Sequence, residues 1–240
     1  MKLLIDIGNT RLKWACAGPG GLGEATALPH DGDPALVLQS LPMLHPTEVW
    51  ITQVTGAAQE SALADAVQRR YALQPQFARS GAEWRGLRSA YREPQRLGVD
   101  RWLAMMAAWA THRGAACVID AGTALTADVI AADGRHLGGF IAAGLDTQQR
   151  AVLGATRFAT RDVDAIGYHS GLGTDTETCV RQGALLACVG AIERAAAQAG
   201  AGAALLITGG DAARLLPHLD LRWRHEPLLV LEGLRQLADS

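Results

Sequence analysis

The feature that most constrains this chain is a short pattern that occurs twice, each time after an apolar run typical of a β-strand. The first copy is Asp6-Ile7-Gly8-Asn9-Thr10 after residues 2–5, and the second is Asp120-Ala121-Gly122-Thr123-Ala124-Leu125-Thr126 after residues 115–119. In each copy an Asp ends the strand, a Gly permits a tight turn, and hydroxyl side chains begin the next apolar run. Such turns let backbone N–H groups approach phosphate oxygens. Two facing copies therefore predict a nucleotide bound between two similar halves, with two unrelated hairpin turns as the alternative.

Length and composition are compatible with two similar halves. The 240 residues are 49% hydrophobic and 19% charged, which is enough apolar material for a packed core and too little charge for disorder. We therefore divide the chain into an N-terminal half, residues 1–113, and a C-terminal half, residues 114–240, each with one copy of the pattern.

Charge and sequence punctuation exclude several classes of partner. The net charge of −2 gives no reason to expect nucleic acid or an anionic membrane as a partner. The longest Ala/Met/Trp-rich run, 103–110, is far too short to cross a bilayer. Met1-Lys2 is followed at once by a strand, so we expect no secretory signal and a cytoplasmic protein. No CxxC pair occurs, and we interpret four cysteines as reduced packing residues: Cys16, Cys117, Cys179 and Cys188.

Strands and helices follow one another in the same order in both halves. The first half shows strand patterns at 2–6, 11–17, 24–28 and 48–54, helical patterns at 33–41, 57–71 and 99–112, and a polar, irregular stretch at 81–96. The second half shows strand patterns at 117–121, 125–131, 137–142, 204–208 and 222–224, helical patterns at 144–153, 176–199, 211–216 and 228–238, and a loop at 156–173. The repeated order predicts a duplicated α/β fold with mixed sheets and a cleft between the halves, where ligands usually bind.

Four motifs together carry a resemblance to a known family. They are Asp6-Ile7-Gly8-Asn9-Thr10, Gly98-Val99-Asp100-Arg101, Asp120-Ala121-Gly122-Thr123-Ala124 and Thr208-Gly209-Gly210-Asp211-Ala212. In this order and spacing the chain resembles the type III pantothenate kinases of the actin/hexokinase superfamily, from residue 1 to about residue 234. The resemblance implies an α/β fold of two ribonuclease H-like halves with mixed sheets and an interdomain cleft.

The resemblance also implies how ATP is bound. A phosphate loop would wrap the triphosphate and would comprise Asp6, Ile7, Gly8, Asn9, Thr10, Arg11, Leu12 and Lys13, with Thr123 donating from the opposite half. Asp120 would help to hold a monovalent cation, potassium or ammonium, beside the phosphates, and magnesium would accompany ATP. Gly209 and Gly210 would let the adenine ring pack on backbone. The alternatives are a surface hairpin with a solvated Lys13, a strand-end capping Asp120, and a simple strand-to-helix turn.

The substrate side of the site follows from the same resemblance. Asp100 would be the base that accepts the hydroxyl proton, within a substrate-binding set made of Tyr91, Gly98, Val99, Asp100, Arg101 and Thr176. The forked guanidinium of Arg101 suits a carboxylate such as that of pantothenate. Without the resemblance, Asp100 is equally a helix-start Asp paired with Arg101 or Arg96, and Thr176 equally a plain helix-start residue.

The function that the resemblance implies is ATP-dependent phosphorylation of pantothenate to 4'-phosphopantothenate, the first step of coenzyme A biosynthesis. Two alternatives stay open: another small-molecule kinase of the same fold, and a non-catalytic nucleotide-binding regulator. The carboxylates and the guanidinium needed for catalysis are all present, which favours an enzyme.

The segment 176–199 predicts a homodimer, because it is more apolar than one core-facing side of a helix requires. Thr176 would then reach substrate in its own or in the partner subunit. Two pairs depart from the family pattern: Ala143-Gly144 replaces Pro-Gly, and Asp175-Thr176 replaces Asn-Thr. We expect the first to alter only a turn, and the second to add a carboxylate close to Thr176.

Overall fold

A computed structural model of the chain describes residues 1–54, 56, 58–157, 167–169 and 171–240. The chain forms two compact units. The first contains Met1–Thr111 together with Leu228–Ser240, and the second contains His112–Pro227.

The first unit is built on a six-stranded mixed sheet. Its strands are β1 (Lys2–Ile7), β2 (Arg11–Gly18), β3 (Gly21–Leu22), β4 (Thr26–Pro29), β5 (Glu48–Gln53) and β6 (Gln76–Phe77). The strand order is β3-β2-β1-β5-β6, and β4 also pairs with β2. The hairpin β1–β2 is antiparallel, whereas β1–β5 and β5–β6 are parallel. The strand predicted at 24–28 corresponds to β4, whereas the two-residue β3 was not predicted.

Three helices and a small hairpin complete most of this unit. They are α1 (Pro34–Ser40), α2 (Ala58–Tyr71), β7 (Glu83–Trp84), β8 (Leu87–Arg88) and α3 (Val99–His112). The predicted helix start at residue 57 lies outside the described residues. The hairpin β7–β8 falls in the stretch predicted to be irregular, and β6 was not predicted, because strands of two residues carry too few side chains for a periodic pattern.

The core of the first unit lies between its sheet and α1 and α2. Leu3, Ile5 and Ile7 alternate along β1 and pack with Leu63 and Val67, which lie four residues apart on one face of α2. Both faces of β1 are buried, as expected for the central strand of a sheet that is joined by crossover helices. The strand therefore reads as a continuous apolar run rather than an alternating one.

The second unit repeats the arrangement of the first. Its strands are β9 (Ala116–Ala121), β10 (Ala124–Ile130), β11 (His136–Ala143), β12 (Ala204–Thr208) and β13 (Trp223–His225). They are ordered β11-β10-β9-β12-β13. The first three are antiparallel to their neighbours, whereas β12 is parallel to β9 and β13 is parallel to β12. The order matches that of the first sheet, position for position. The predicted duplicated α/β fold with mixed sheets is confirmed.

The described residues of the second unit form three α-helices: α4 (Leu145–Ala155), α5 (Thr176–Ala199) and α6 (Ala212–Leu215). Leu185, Cys188 and Ile192 recur on one face of α5 and pack against the apolar side chains of β9 and β10. Of the loop predicted at 156–173, residues 158–166 and 170 lie outside the described residues.

The closing helix, α7 (Leu229–Ala238), belongs to the first unit rather than to the C-terminal half in which the sequence division placed it. It packs on β1, β2 and β5, with Leu231 and Leu234 fully buried. An ion pair of 2.9 Å between Lys2 Nζ and Asp239 Oδ1 joins the two ends of the chain. The predicted division into two consecutive halves could not include this arrangement, because the C-terminal segment of the chain packs back onto the first sheet.

Within the described residues, no helix is both long enough and apolar enough to span a membrane. All four cysteines are free thiols, as expected. Cys117 and Cys188 are buried packing residues, but Cys179 is exposed, and its interpretation as a packing residue was wrong. Cys179 lies at the end of the first turn of α5, on the helix face that is directed away from the sheet.

Burial should divide the thiols by reactivity. It raises the pKa of Cys117 to about 12 and that of Cys188 to about 11, from an ordinary value of 9.0. In a thiol titration with a chromogenic disulfide at pH 8, we expect Cys179 to react at once and the two buried thiols to react only in denaturant. Cys179→Ser should remove the fast phase, and fast reaction of a second, buried thiol would contradict this assignment.

The same raised pKa values predict that the folded protein loses stability at alkaline pH. Above pH 9 these thiols ionise in the unfolded chain but stay protonated in the folded one, which favours unfolding. Their contribution to the free energy of unfolding is therefore fully present below pH 9 and is lost as the pH rises towards 11–12. The melting temperature should therefore fall more steeply on the alkaline side in the native protein than in a Cys117→Ala variant.

Candidate functional site

The first Asp-x-Gly turn connects β1 to β2. Gly8 N donates to Arg11 O at 3.0 Å and closes the turn, which leaves Asn9 and Thr10 exposed at its tip. The side chains of Ile7 and Leu12 are fully buried in the core. Of the predicted ATP-binding loop, these two can therefore offer only their backbone to a ligand.

A buried histidine supports this turn from behind and was missed by the sequence analysis. His30 follows β4, is 4% exposed, and accepts a hydrogen bond at Nδ1 from Gly32 N (3.2 Å). The other ring nitrogen, Nε2, therefore carries the proton and donates to Gly8 O at 2.9 Å. His30 N also donates to Thr10 O at 3.3 Å. No local pattern points to this role, because it depends on β4 pairing with the far side of β2.

Asp6 lies one residue before the end of β1, between two polar neighbours. It is in register with Lys13 on β2 and with Thr52 on β5. The hydroxyl of Thr52 is fully buried and makes no hydrogen bond within the described residues. An Asp, a Lys and a Thr thus stand side by side at the end of the sheet where the first Asp-x-Gly turn lies.

The second turn has the same surroundings. Asp120 lies one residue before the end of β9, in register with Thr126 on β10 and with Thr208 on β12. Gly122 N closes the turn by donating to Ala124 O at 3.0 Å. This turn contains residues 122–124 between paired strands, one residue fewer than residues 8–11 in the first. The duplication therefore extends from strand order to the polar neighbours of each Asp.

Two helix starts border the second turn. On one side Gly144 N and Thr147 Oγ1 both donate to Thr123 O, at 3.0 Å and 2.7 Å. On the other side Asp211 N donates to Ala121 O at 2.9 Å. Gly209 has a φ of +94°, and a Cβ there would lie 2.2 Å from Ala121 O. The glycine of the predicted adenosine motif is thus required by a close approach within the protein itself.

The Gly98–Arg101 motif forms the start of α3, and its Arg101 contacts Tyr91, another member of the predicted substrate-binding set. Arg101 is 5% exposed, and its Nη1 donates to the Tyr91 hydroxyl at 3.1 Å. Asp100 Oδ1 accepts from Arg101 N at 2.8 Å. A Cβ at Gly98 would lie 2.7 Å from that same oxygen, so a glycine there leaves room for the carboxylate. A buried guanidinium, a phenol and a carboxylate therefore form one cluster.

Thr176 is the first residue of α5, and the carboxylate that precedes it has a structural partner. Asp175 Oδ1 accepts hydrogen bonds from Thr178 N and Thr178 Oγ1, both at 2.8 Å, in a capping box. The departure from the family pattern at position 175 therefore stabilises the helix start. It accounts for Asp175 without a ligand.

The side chains described in the structure include no group of three or more His, Cys, Asp or Glu residues that could enclose a metal. Asp6 and Asp120 are instead single carboxylates, each beside an Asp-x-Gly turn. Such a donor set fits a largely hydrated cation shared with phosphate oxygens, which is how Mg²⁺ usually accompanies nucleotides. It does not fit a cation held by the protein alone.

The repeated strand order and the two matching turns define a duplicated α/β fold with mixed sheets. The family model for type III pantothenate kinase matches residues 2–198. A relative from Nitrosococcus oceani, named type III pantothenate kinase, is 35% identical over 99% of this chain and 94% of its own length. The chain belongs to the type III pantothenate kinase family.

Two solved structures share the fold at lower identity. A conserved putative Baf family transcriptional activator from Campylobacter jejuni is 21% identical, with a TM-score of 0.66 over 99% of this chain and 97% of its own. A putative 2-dehydro-3-deoxygalactonokinase from Sinorhizobium meliloti is 15% identical, with a TM-score of 0.60 over 99% and 98%. At these identities the likeness concerns the fold alone.

Proposed function

We propose that the protein transfers the γ-phosphoryl group of ATP to pantothenate and makes 4'-phosphopantothenate, the first step of coenzyme A biosynthesis, in the cytoplasm. The observation that carries the proposal is full-length membership of the family together with the Asp100–Arg101–Tyr91 cluster. A regulator that only binds nucleotide has no need of a buried guanidinium oriented by a phenol, with a carboxylate on the neighbouring residue. Phosphoryl transfer to a carboxylate-bearing alcohol needs both.

The phosphates of ATP are positioned by the two turns. Gly8 lets backbone N–H groups approach the phosphate oxygens, Asn9 and Thr10 donate side-chain hydrogen bonds, and Lys13 neutralises charge. Thr123 donates from the second turn. Asp120 would help to hold potassium or ammonium beside the phosphates, and Asp6 would support magnesium. When bound, these cations would supply positive charge that offsets the charge of the phosphates.

Pantothenate is oriented by the cluster at the start of α3. The Arg101 guanidinium is buried and already oriented by the Tyr91 hydroxyl, so little side-chain entropy is lost when it binds the substrate carboxylate. Asp100 accepts the proton of the attacking hydroxyl late in the reaction. The backbone at Gly98 and Val99 borders the substrate, and Thr176 contributes a hydroxyl from its own or the partner subunit.

An ATP-consumption assay with a panel of hydroxyl acceptors tests this function. We expect turnover with pantothenate that requires a divalent ion and either potassium or ammonium. Undiminished activity in a sodium-only buffer would refute the monovalent cation. Turnover only with another acceptor would favour a different small-molecule kinase. Nucleotide binding without turnover on any acceptor would favour a regulator.

We also propose a homodimer that buries the first part of the exposed face of α5. This part presents Gly183, Leu186, Ala187 and Gly190 at helical spacing, and Leu186 is 50% exposed. The exposed charges Glu193 and Arg194 lie further along the helix. Light scattering at micromolar concentration should give the mass of two chains. Leu186→Glu should reduce it to one chain, because a charge would then be buried at the contact.

The matched control for the dimer is Leu221→Glu, since Leu221 is a fully exposed leucine of the same unit outside α5. It should leave the mass unchanged. A native protein with the mass of one chain across the whole concentration range would refute the dimer.

A further inference from the structure

The second phosphate turn, Asp120–Thr123, is held between two short stretches of chain. One is the start of α4, which reaches Thr123 O, and the other is the start of α6, which reaches Ala121 O. Each stretch carries an aspartate: Asp146 in the first turn of α4 and Asp211 just before α6. The geometry of the turn depends on both stretches staying in place.

A single arginine joins the two aspartates. Arg214 Nη2 and Nη1 donate to the two carboxylate oxygens of Asp146 at 2.8 Å and 3.1 Å, and Nη1 also donates to Asp211 Oδ1 at 2.7 Å. Nη2 further donates to the Tyr168 hydroxyl at 2.6 Å. The hydrogen bonds from Arg214 hold the pKa of Asp146 below its usual value.

This arrangement differs from the ordinary surface ion pairs of the same unit. Arg222 with Asp220 and Arg135 with Asp133 each join residues two positions apart, and all four side chains are more than half exposed. Arg214 instead pairs with Asp146, 68 positions earlier in the chain, and with Asp211. Asp146 is 53% exposed, but Arg214 and Asp211 are only 31% and 17% exposed. Pairs of the first kind contribute little to any protein, whereas a fork with several partners fixes the geometry of what it joins.

We propose that Arg214 is a positioning residue for the nucleotide: it ties α4 to α6 and thereby keeps the Asp120–Thr123 turn in the shape that binds phosphate. The inference rests on the proposed function, because it assumes that this turn contacts ATP. Arg214 itself needs no contact with the ligand. Its effect reaches the phosphates through Thr123 O on one side and Ala121 O on the other.

Steady-state kinetics of Arg214→Lys and Asp146→Asn test the proposal. Lysine keeps the charge but cannot bridge two carboxylates as a planar fork can. We expect the KM for ATP to rise about 10-fold, as when a supporting hydrogen-bond partner is lost from a ligand site, while the KM for pantothenate changes less than about 2-fold. The rise in the KM for ATP in the double variant should be smaller than the product of the two single effects, because both substitutions interrupt the same connection. Arg222→Lys is the matched control and should change neither constant.

The outcomes separate this inference from the function on which it rests. An unchanged KM for ATP, or a fall in kcat and melting temperature with both KM values unchanged, would reduce Arg214 to a structural residue and overturn the proposal. If the native enzyme does not phosphorylate pantothenate, titration with ATP still decides: a Kd raised about 10-fold in Arg214→Lys supports the inference, and an equal Kd overturns it. Absence of ATP binding by the native protein would refute both. Asp146→Asn provides the answer if Arg214→Lys does not fold.

Discussion

Asp100→Asn should lower kcat at least about 100-fold and leave ATP affinity unchanged, because loss of a positioned base costs roughly 100- to 10,000-fold. Asparagine keeps the size of the side chain, and its Oδ1 can still accept from Arg101 N as Asp100 does at 2.8 Å. The start of α3 and the position of Arg101 are therefore preserved. What is lost is the capacity to take up a proton at neutral pH. Turnover and nucleotide titration on the same preparation provide the measurement.

Two variants make this result specific. Asp6→Asn should weaken nucleotide binding, because Asp6 lies beside the phosphate turn in register with Lys13. Asp65→Asn removes an exposed carboxylate of α2 in the same unit and should change neither quantity. If Asp100→Asn keeps more than about a tenth of the native rate, far above what loss of a base allows, Asp100 is structural. The regulator alternative would then gain weight.

The sequence predicted most of what depends on local pattern. Apolar runs located β1, β2, β5, β9, β10 and β12, helical spacing located α2, α3 and α5, and the repeat of Asp-x-Gly identified the duplication. Each of these features is encoded within one strand, one helix or one turn. They are the features for which period and turn chemistry carry enough information.

Features that depend on distant pairing were beyond the sequence. Thr52 and Thr208 stand beside Asp6 and Asp120 only because β5 and β12 pair in parallel with β1 and β9. His30 supports the first turn only because β4 pairs with β2. No spacing rule connects residues 22 to 88 positions apart, so register has to be observed. The functional site is therefore better determined by topology than by its motifs alone.

Glycine 209 shows how topology changes the interpretation of a motif. Its place in Thr208-Gly209-Gly210 predicted a flat surface for adenine, yet the structure gives it a φ of +94° and a position against Ala121 O. The close contact arises because β12 pairs in parallel with β9, which places Gly209 directly beside the end of β9. The glycine keeps the second phosphate turn and the start of α6 in contact, whatever the ligand.

Gly209→Ala should therefore destabilise the protein by about 3 kcal/mol, the sum of roughly 1–2 kcal/mol for a left-handed backbone and roughly 1–3 kcal/mol for overpacking. The added Cβ would lie 2.2 Å from Ala121 O and 2.5 Å from Asp120 Oδ1, so backbone has to move. For a chain of this size the melting temperature should fall by roughly 6–12 °C. Because the moved atoms belong to the phosphate turn, ATP affinity should fall as well.

Two further glycines separate the contributions. Gly202 has a φ of +82°, and a Cβ added there would meet open space. Gly202→Ala should therefore destabilise the fold only through its left-handed backbone, by about 1–2 kcal/mol, and should leave ATP binding unchanged. Gly144 has an ordinary φ of −73°, but a Cβ added there would lie 1.9 Å from Gly122 O. Gly144→Ala should therefore destabilise the fold only through this steric clash. It should weaken ATP binding from the other side of the same turn. Equal melting temperatures and equal ATP affinities for all three variants would show that close packing around Asp120–Thr123 does not shape the site.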